Sequence, residues 1–551
     1  MEKHTNYWLN GKGFRRRAFL AGLSTTAIGA TGLATVGCGD DEDTSPRTAP
    51  TSTSGGSTST GTQASPTTEV IKPAGTLNVA HPGGELPAFN PLTYTSGNQI
   101  LYRDAIGEGL VNTGRKGDKV ELYPALAKSY EKSPDGLTWT FKLNELAKFH
   151  DGTRVTAADV KFTWEFMKDS ASRHARKTEI AAALDRVDTP DANTAVFKLK
   201  TPYPQLDIRS NNWAIIPAAT FLKLGQDGFE AAPIAAGPFK FVSGRKGDQA
   251  TLTAVEGHYR KTPYIKDYNI TTVPEEATRI ARLQTGEADI TPISASSRKA
   301  VEAIGGARVV VAKGVVGNWL EFMDPYLGLN TPTTDARVRK AMSIAINREG
   351  IVKSLLSGEA VLGGSFGLPY FKGYADLPVD KYDIIDAKAR LVAAGFSDGF
   401  EIDFHVTSPV AEYVSVMIAD WKKIGVNVNV RQRDAAAQVD LINSKKTPGF
   451  YIQGTGADYI DPASYGLFVF SDGTFSYLKG FDDKAKVLVN GTNDEERFKA
   501  FQDIQKGVYD QTLYANLWYS NQLNAVTKKV KIWEPIPNNG YILLVENLKL
   551  A

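Results

Sequence analysis

The chain has 551 residues, too many for one ordinary hydrophobic core, so two or more lobes are expected. Its composition is globular, with 42% hydrophobic and 23% charged residues, and a net charge of +2 supplies no basic excess for a nucleic-acid partner. A single cysteine, Cys38, excludes an internal disulfide framework, and the six scattered histidines show no short metal-ligand spacing, so neither metal nor cofactor is expected.

Residues 13–38 read GFRRRAFLAGLSTTAIGATGLATVGC. Arginines 15 to 17 form a positive n-region, and the small-residue stretch after them is too polar and short for a membrane span. Arg16-Arg17-Ala18-Phe19-Leu20 resembles the twin-arginine export motif, which implies a bacterial or archaeal envelope protein. Cys38 stands where a lipoprotein signal places its lipidated residue, with Thr35 where Leu is usual, so a lipid anchor on Cys38 is expected. Residues 39–74 are rich in Ser, Thr, Pro and Gly and lack the apolar groups that offset chain entropy; they read as a disordered tether.

From Gly75 the texture changes. GTLNVAH (75–81), LTWTFKLN (137–144) and TAVFKLK (194–200) read as strands, with SPDG (133–136) as a turn. KFHDGTRVTAADV (148–160) poses a choice, since His150 beside Asp151 could be an acid–base pair or a turn corner. Asp151-Gly152 is a turn dipeptide, Thr156-x-x-Asp159 has helix N-terminal spacing, and Val160, Trp164 and Met167 recur at helical spacing. Adjacent strand residues point to opposite faces, so the architectural reading is preferred. Helices are predicted over 274–286, 335–347 and 347–358, each with suitable end residues. The mixture predicts an α/β body without a fixed repeat.

The stretch SYEKSPDGLTWTFKLNELAKFHDGTRVTAADVKFTWE (129–165) resembles the signature of the family 5 extracellular solute-binding proteins of ABC importers, the oligopeptide- and dipeptide-binding class. Further matches follow in order: FNP (89–91), GEGLV (107–111), AGPFKF (236–241), LQTGEADI (283–290), DARVRKAMSIAINREGIV (335–352), KKIGVNVNV (422–430) and ADYIDPASY (457–465). The resemblance covers roughly 75–551 and implies a two-lobed, hinged α/β fold of the periplasmic binding-protein type. The first lobe would comprise 75–315, with an inserted subdomain around 110–230, and a C-terminal return over 516–551. The second would span 316–515. A monomer is expected, working with an ABC permease and, through it, ATPase subunits.

The resemblance also implies where a ligand would lie. In peptide-binding relatives an aspartate in a G-W-x-A-D-Y-like stretch receives the ligand's α-ammonium group. Here the stretch is Gly454-Thr455-Gly456-Ala457-Asp458-Tyr459, which makes Asp458 the matched residue and puts Thr455 where many relatives carry Trp. A carboxylate closed away from water suits an ammonium partner. Trp319, the loop Thr95-Ser96-Gly97-Asn98 and Trp213 match further ligand-contacting segments. Members of the family also take up metal chelates, haem, oligosaccharides and opines, and a ligand-sensing receptor is a third possibility for the fold. An enzyme is not expected. Gly363-Gly364-Ser365-Phe366-Gly367 fits a hydrolase elbow, but a predicted helix precedes it and Leu368-Pro369 follows it, the wrong surroundings for that motif.

Overall fold

The computed structural model describes residues 71–83, 86, 88–93, 100–117, 119–174, 176–211, 213–407, 411–433, 435–445, 448–456, 461–469, 478–536 and 543–551. The leader with Arg16, Arg17 and Cys38, most of the tether, the loop Thr95-Ser96-Gly97, Asp458 and Tyr459 lie outside the described residues.

Ten strands of one large sheet organise the molecule. In chain order they are β1 (Thr76–His81), β2 (Phe239–Arg245), β3 (Gln249–Ala254), β4 (Asp267–Thr272), β5 (Ile290–Ile293), β6 (Ala307–Phe322), β7 (Phe400–Thr407), β8 (Val426–Arg433), β9 (Phe450–Gly456) and β10 (Tyr514–Thr527). Their spatial order is β8-β7-β9-β6-β10-β5-β1-β4-β3-β2, and the short strand Ala360–Val361 pairs with β10 as the eleventh. A separate four-stranded sheet, built from residues 127–199, carries the strands Thr138–Leu143 and Thr194–Leu199 expected from their alternation.

Two sets of cores separate two lobes. In the first lobe, Leu77, Val79, Tyr268 and Ile270 pack with Val526, Val530 and Leu548 from the chain's end. A neighbouring core in that lobe holds Trp139, Phe141, Trp164 and Phe197 around the four-stranded sheet. In the second, Leu320, Met342, Phe404 and Trp421 pack on one face of the sheet, and Trp319, Tyr465, Phe501 and Tyr514 on the other. The strands β6 and β10 pass through both. Ala307–Ala312 pair with Gln522–Thr527 on the first-lobe side, and Val316–Glu321 pair with Tyr514–Ser520 on the second-lobe side.

Local chemistry explains the elements that position these lobes. The helix Ala157–Met167 buries Val160, Trp164 and Met167, as the spacing predicts. At its start the Asp159 carboxylate accepts from the Thr156 N–H at 2.9 Å and from the Thr156 hydroxyl at 2.7 Å. The Thr156 side chain in turn accepts from the Asp159 N–H, which completes a capping box. Asp335 and Asn347 cap the helices Ala336–Ile344 and Arg348–Ser354 through their side chains. The helix Glu276–Thr285 ends at Gly286, whose φ of 80° is left-handed.

His150 proves architectural. Its Nε2 lies 3.0 Å from the Gly237 carbonyl, while Nδ1 accepts from Ala235 N–H at 3.3 Å, so the ring ties a turn to a distant loop. Asp151 turns away to accept from Thr153 N–H at 2.9 Å. His258 holds the same loop through the Ala236 carbonyl at 3.0 Å.

Burial holds four histidines neutral. It lowers His81 and His174 to about 3, helped by Arg279 and Arg176 respectively, and lowers His150 and His258 to about 4. Since each folded pKa lies below the unfolded 6.5, the unfolded chain takes up protons first. Their contribution is whole above pH 6.5 and is lost as pH falls toward 4. Urea unfolding should therefore show a large fall in stability between pH 7 and pH 5, about 2 kcal/mol per histidine; equal midpoints at the two pH values would refute this account.

Candidate ligand-binding site

The residues Gly454, Thr455 and Gly456 end β9 on its open side. Strand β9 pairs antiparallel with β6 from Phe450↔Phe322 to Gly456↔Val316, without a register shift. Its other neighbour, β7, reaches only Phe404↔Phe450 and His405↔Tyr451. The phase of the β6 ladder is set by Met323 N–H, which donates to the Gly449 carbonyl at 2.9 Å. Alternation then turns the backbone of Gln453 and Thr455 toward β6, and that of Gly454 and Gly456 away from it. Their outward carbonyls accept from the Gln453 amide at 3.1 Å and the Thr455 hydroxyl at 3.0 Å, both side chains of the same strand. Among the described residues no further strand pairs there. This is a short length of free sheet edge flanked by glycine.

The chain beyond this edge is held by a buried arginine. Arg497, 1% exposed, donates to both oxygens of Asp461 at 2.7 and 2.8 Å, to Asp494 at 2.7 Å and to the Leu488 carbonyl at 2.9 Å. Asp461 also accepts from Ala463 N–H at 2.8 Å, capping the turn Pro462–Tyr465. The Asp-Pro turn thus anchors the segment that follows Asp458.

The first lobe faces this region across an interface that is already closed. Tyr370 packs on Ile208 of the first lobe, against which Val120 and Leu122 also pack. Lys132 Nζ donates to the Thr492 carbonyl at 3.2 Å, and the Thr492 methyl lies 2.8 Å from where a Cβ on Gly136 would fall. Tyr130 donates to Asp207 at 3.2 Å. Burial raises the Asp207 carboxyl, and the charges of Asp461 and Asp494 in the opposite lobe raise it further, against the Ile208 N–H and Tyr130, which lower it.

The two tryptophans expected at the ligand are core residues here. Trp213 is 2% exposed and packs edge-on against Trp164 at 4.8 Å and His174 at 5.4 Å. Trp319 is fully buried, stacked on Tyr514 at 5.8 Å and edge-on to Phe366 at 6.0 Å. It shares a face of β6 with Glu321 and Met323, turned into the second lobe rather than toward solvent. Ser365, the centre of the hydrolase-like motif, is 1% exposed and gives its hydroxyl to Gln505 at 2.6 Å, so that serine serves as a structural donor.

Glu321 was not singled out from sequence, where one acidic residue in an apolar run carries no partner information. It is fully buried among Trp319, Tyr451 and Tyr514 behind the glycine edge. Burial pushes its carboxyl up to about 8; the polar atoms of Tyr451, Tyr514 and Trp319 and the charge of Lys445 pull the other way without prevailing.

Two α/β lobes sharing a pair of continuous strands, with a free strand edge in the second, define a hinged solute-binding protein. The architecture recurs in the ABC transporter-associated periplasmic binding protein DppA of Helicobacter pylori, solved with the peptide STSA (TM-score 0.70, 23% identity, 86% of this chain and 98% of that one). It recurs also in NikA of Brucella suis, solved with Fe(III)-EDTA (TM-score 0.77, 20% identity, 87% and 100%). The chain belongs to the bacterial extracellular solute-binding proteins, family 5, whose family model matches residues 121–477. The dipeptide-binding protein of Escherichia coli is 26% identical over 81% of this chain and 90% of its own length. The family is one of solute-binding transport proteins rather than enzymes.

Because the folded pKa of Glu321 exceeds its unfolded value, its contribution is complete below pH 4.5 and is lost as pH rises through about 8. This opposes the four histidines, which outnumber it in the acid range. Glu321→Gln should stabilise the protein at pH 8 by about 2–4 kcal/mol and flatten its alkaline limb. A variant whose urea midpoint at pH 8 matches or falls below that of the parent would overturn the assignment.

Proposed function

We propose that the protein captures short peptides between its lobes and hands them to an ABC permease, with ATP hydrolysis in separate subunits and no bond chemistry of its own. The observation that carries this reading is the free edge at Gly454 and Gly456. An extended peptide can add to such an edge through main-chain hydrogen bonds, which recognise any sequence. The names of the relatives point the same way, since the Escherichia coli protein is a dipeptide-binding protein and the Helicobacter pylori structure holds a peptide.

In this reading Asp458, two residues after Gly456 in sequence, receives the peptide's α-ammonium group, and Tyr459, Thr95, Ser96 and Gly97 are further ligand contacts. Thr455 in place of a tryptophan leaves that subsite wider. The hinge of this trap would fall at residues 313–315 and near Asn521, where the ladder is broken and core membership changes along β10. Arg16, Arg17 and Cys38 serve a twin-arginine leader and a lipid anchor, and residues 39–74 are the tether that lets a monomeric receptor reach its permease. The bound Fe(III)-EDTA in NikA gives the competing reading, a metal chelate or other non-peptide solute.

Native mass spectrometry of the protein purified without denaturation should release a heterogeneous set of short peptides; one uniform non-peptide mass would reject the peptide reading. Asp458→Asn should weaken binding of a free-amine tripeptide about ten-fold or more and leave its N-acetylated form unchanged. Equal losses for both would remove Asp458 from that role.

A further inference from the structure

The ladder between β6 and β10 slips by one residue between Asn318 and Trp319 and is broken more widely between Ala312 and Val316. Ala312 pairs with Gln522 and Val316 with Ser520, so Lys313, Gly314 and Val315 stand opposite Asn521 alone. Gly314 has a φ of 63°, in the left-handed region that glycine enters without strain. Side chains replace the missing rungs. Gly314 N–H donates to Asn521 Oδ1 at 2.9 Å, and Asn521 Nδ2 donates to Glu359 Oε2 at 2.9 Å. The Asn521 N–H bonds the Glu359 carbonyl at 3.2 Å. The second carboxylate oxygen of Glu359 takes Arg298 Nη1, and Arg298 Nε is bonded to Glu302 at 2.8 Å.

The two ends of this chain of contacts travel with different lobes. Arg298 opens the helix Arg298–Glu302, whose Val301 packs with Leu523 and Ala525 on the first-lobe side. Glu359 stands between Leu356 and Ala360, both packed in the second lobe. Rotation about the broken ladder therefore moves Arg298 against Glu359. With the lobes closed the pair is made, and Glu359 is 9% exposed, so separating its partner leaves a poorly hydrated carboxylate.

We infer that Glu359 is a positioning residue for ligand capture: held by Arg298 of one lobe and Asn521 of the hinge, it latches the closed arrangement without touching the ligand. The inference rests on the reading of the chain as a two-lobed trap, but not on the ligand being a peptide. A ligand-binding equilibrium that includes closure is tightened by whatever favours the closed state, and the gain appears as slower release.

The test uses the full chain, its Arg298→Ala and Glu359→Gln variants, and the exchanged pair Arg298→Glu/Glu359→Arg. Trialanine is the probe for binding, and small-angle scattering of the ligand-free protein is the readout for lobe separation. Both single variants should release trialanine about five- to thirty-fold faster with little change in association rate. They should also scatter as more extended particles, and the exchanged pair should recover part of both effects. Wild-type release rates and superimposable scattering in both single variants would overturn the latch. Should the parent bind no trialanine, the peptide reading fails by itself. The latch is then decided by scattering alone, with extension of both variants supporting it and identity rejecting it.

Discussion

The rest of the structure depends on two strands that belong to both lobes at once. Because β6 and β10 run unbroken in sequence from one core to the other, the lobes cannot dissociate or slide; they can only rotate where the ladder between the strands is interrupted. That constraint turns two ordinary α/β layers into a device with one soft coordinate. It also fixes what the site can be made of, since a ligand between the lobes meets elements placed by both ends of the chain. The return of β10 makes the first lobe discontinuous, and its last segment, through Val526, Val530 and Leu548, completes the core that β1 began.

Closure brings together groups whose energies oppose one another. Tyr370 on Ile208 buries apolar surface, and Lys132 finds a carbonyl on the other side. Asp207 meets the field of Asp461 and Asp494, which is tempered because Arg497 already holds both of those carboxylates. The geometry of that arginine matters as much as its charge. Its Nη2 meets both oxygens of Asp461 while Nη1 reaches Asp494 and Nε the Leu488 carbonyl, a planar set no ammonium group can match.

Elements governed by local rules were legible in the sequence. The Thr156–Asp159 helix start, the Asp151-Gly152 turn, the capped helices and the alternating strands all follow from residues within a few positions of one another. The turn reading of His150 held for the same reason, although its partner Gly237 lies far along the chain. The ordered motifs carried the fold further than local rules could. The site was less readable. Trp319 and Trp213 stand in the matched segments, yet which face of an element a side chain takes is settled by packing, and both turn inward. Glu321, Arg497 and the Glu359 network were invisible because their meaning lies in pairings across long separations, which a linear text does not display.

A strand edge left open is ordinarily a hazard, since it can template the pairing of any extended chain with any other. Here the edge at Gly454 and Gly456 is only a few residues long and carries glycine at both of its outward positions. An edge of that length offers few rungs to a growing sheet. Brevity and glycine thus limit cross-β assembly at a place where backbone groups stay outside the ladder.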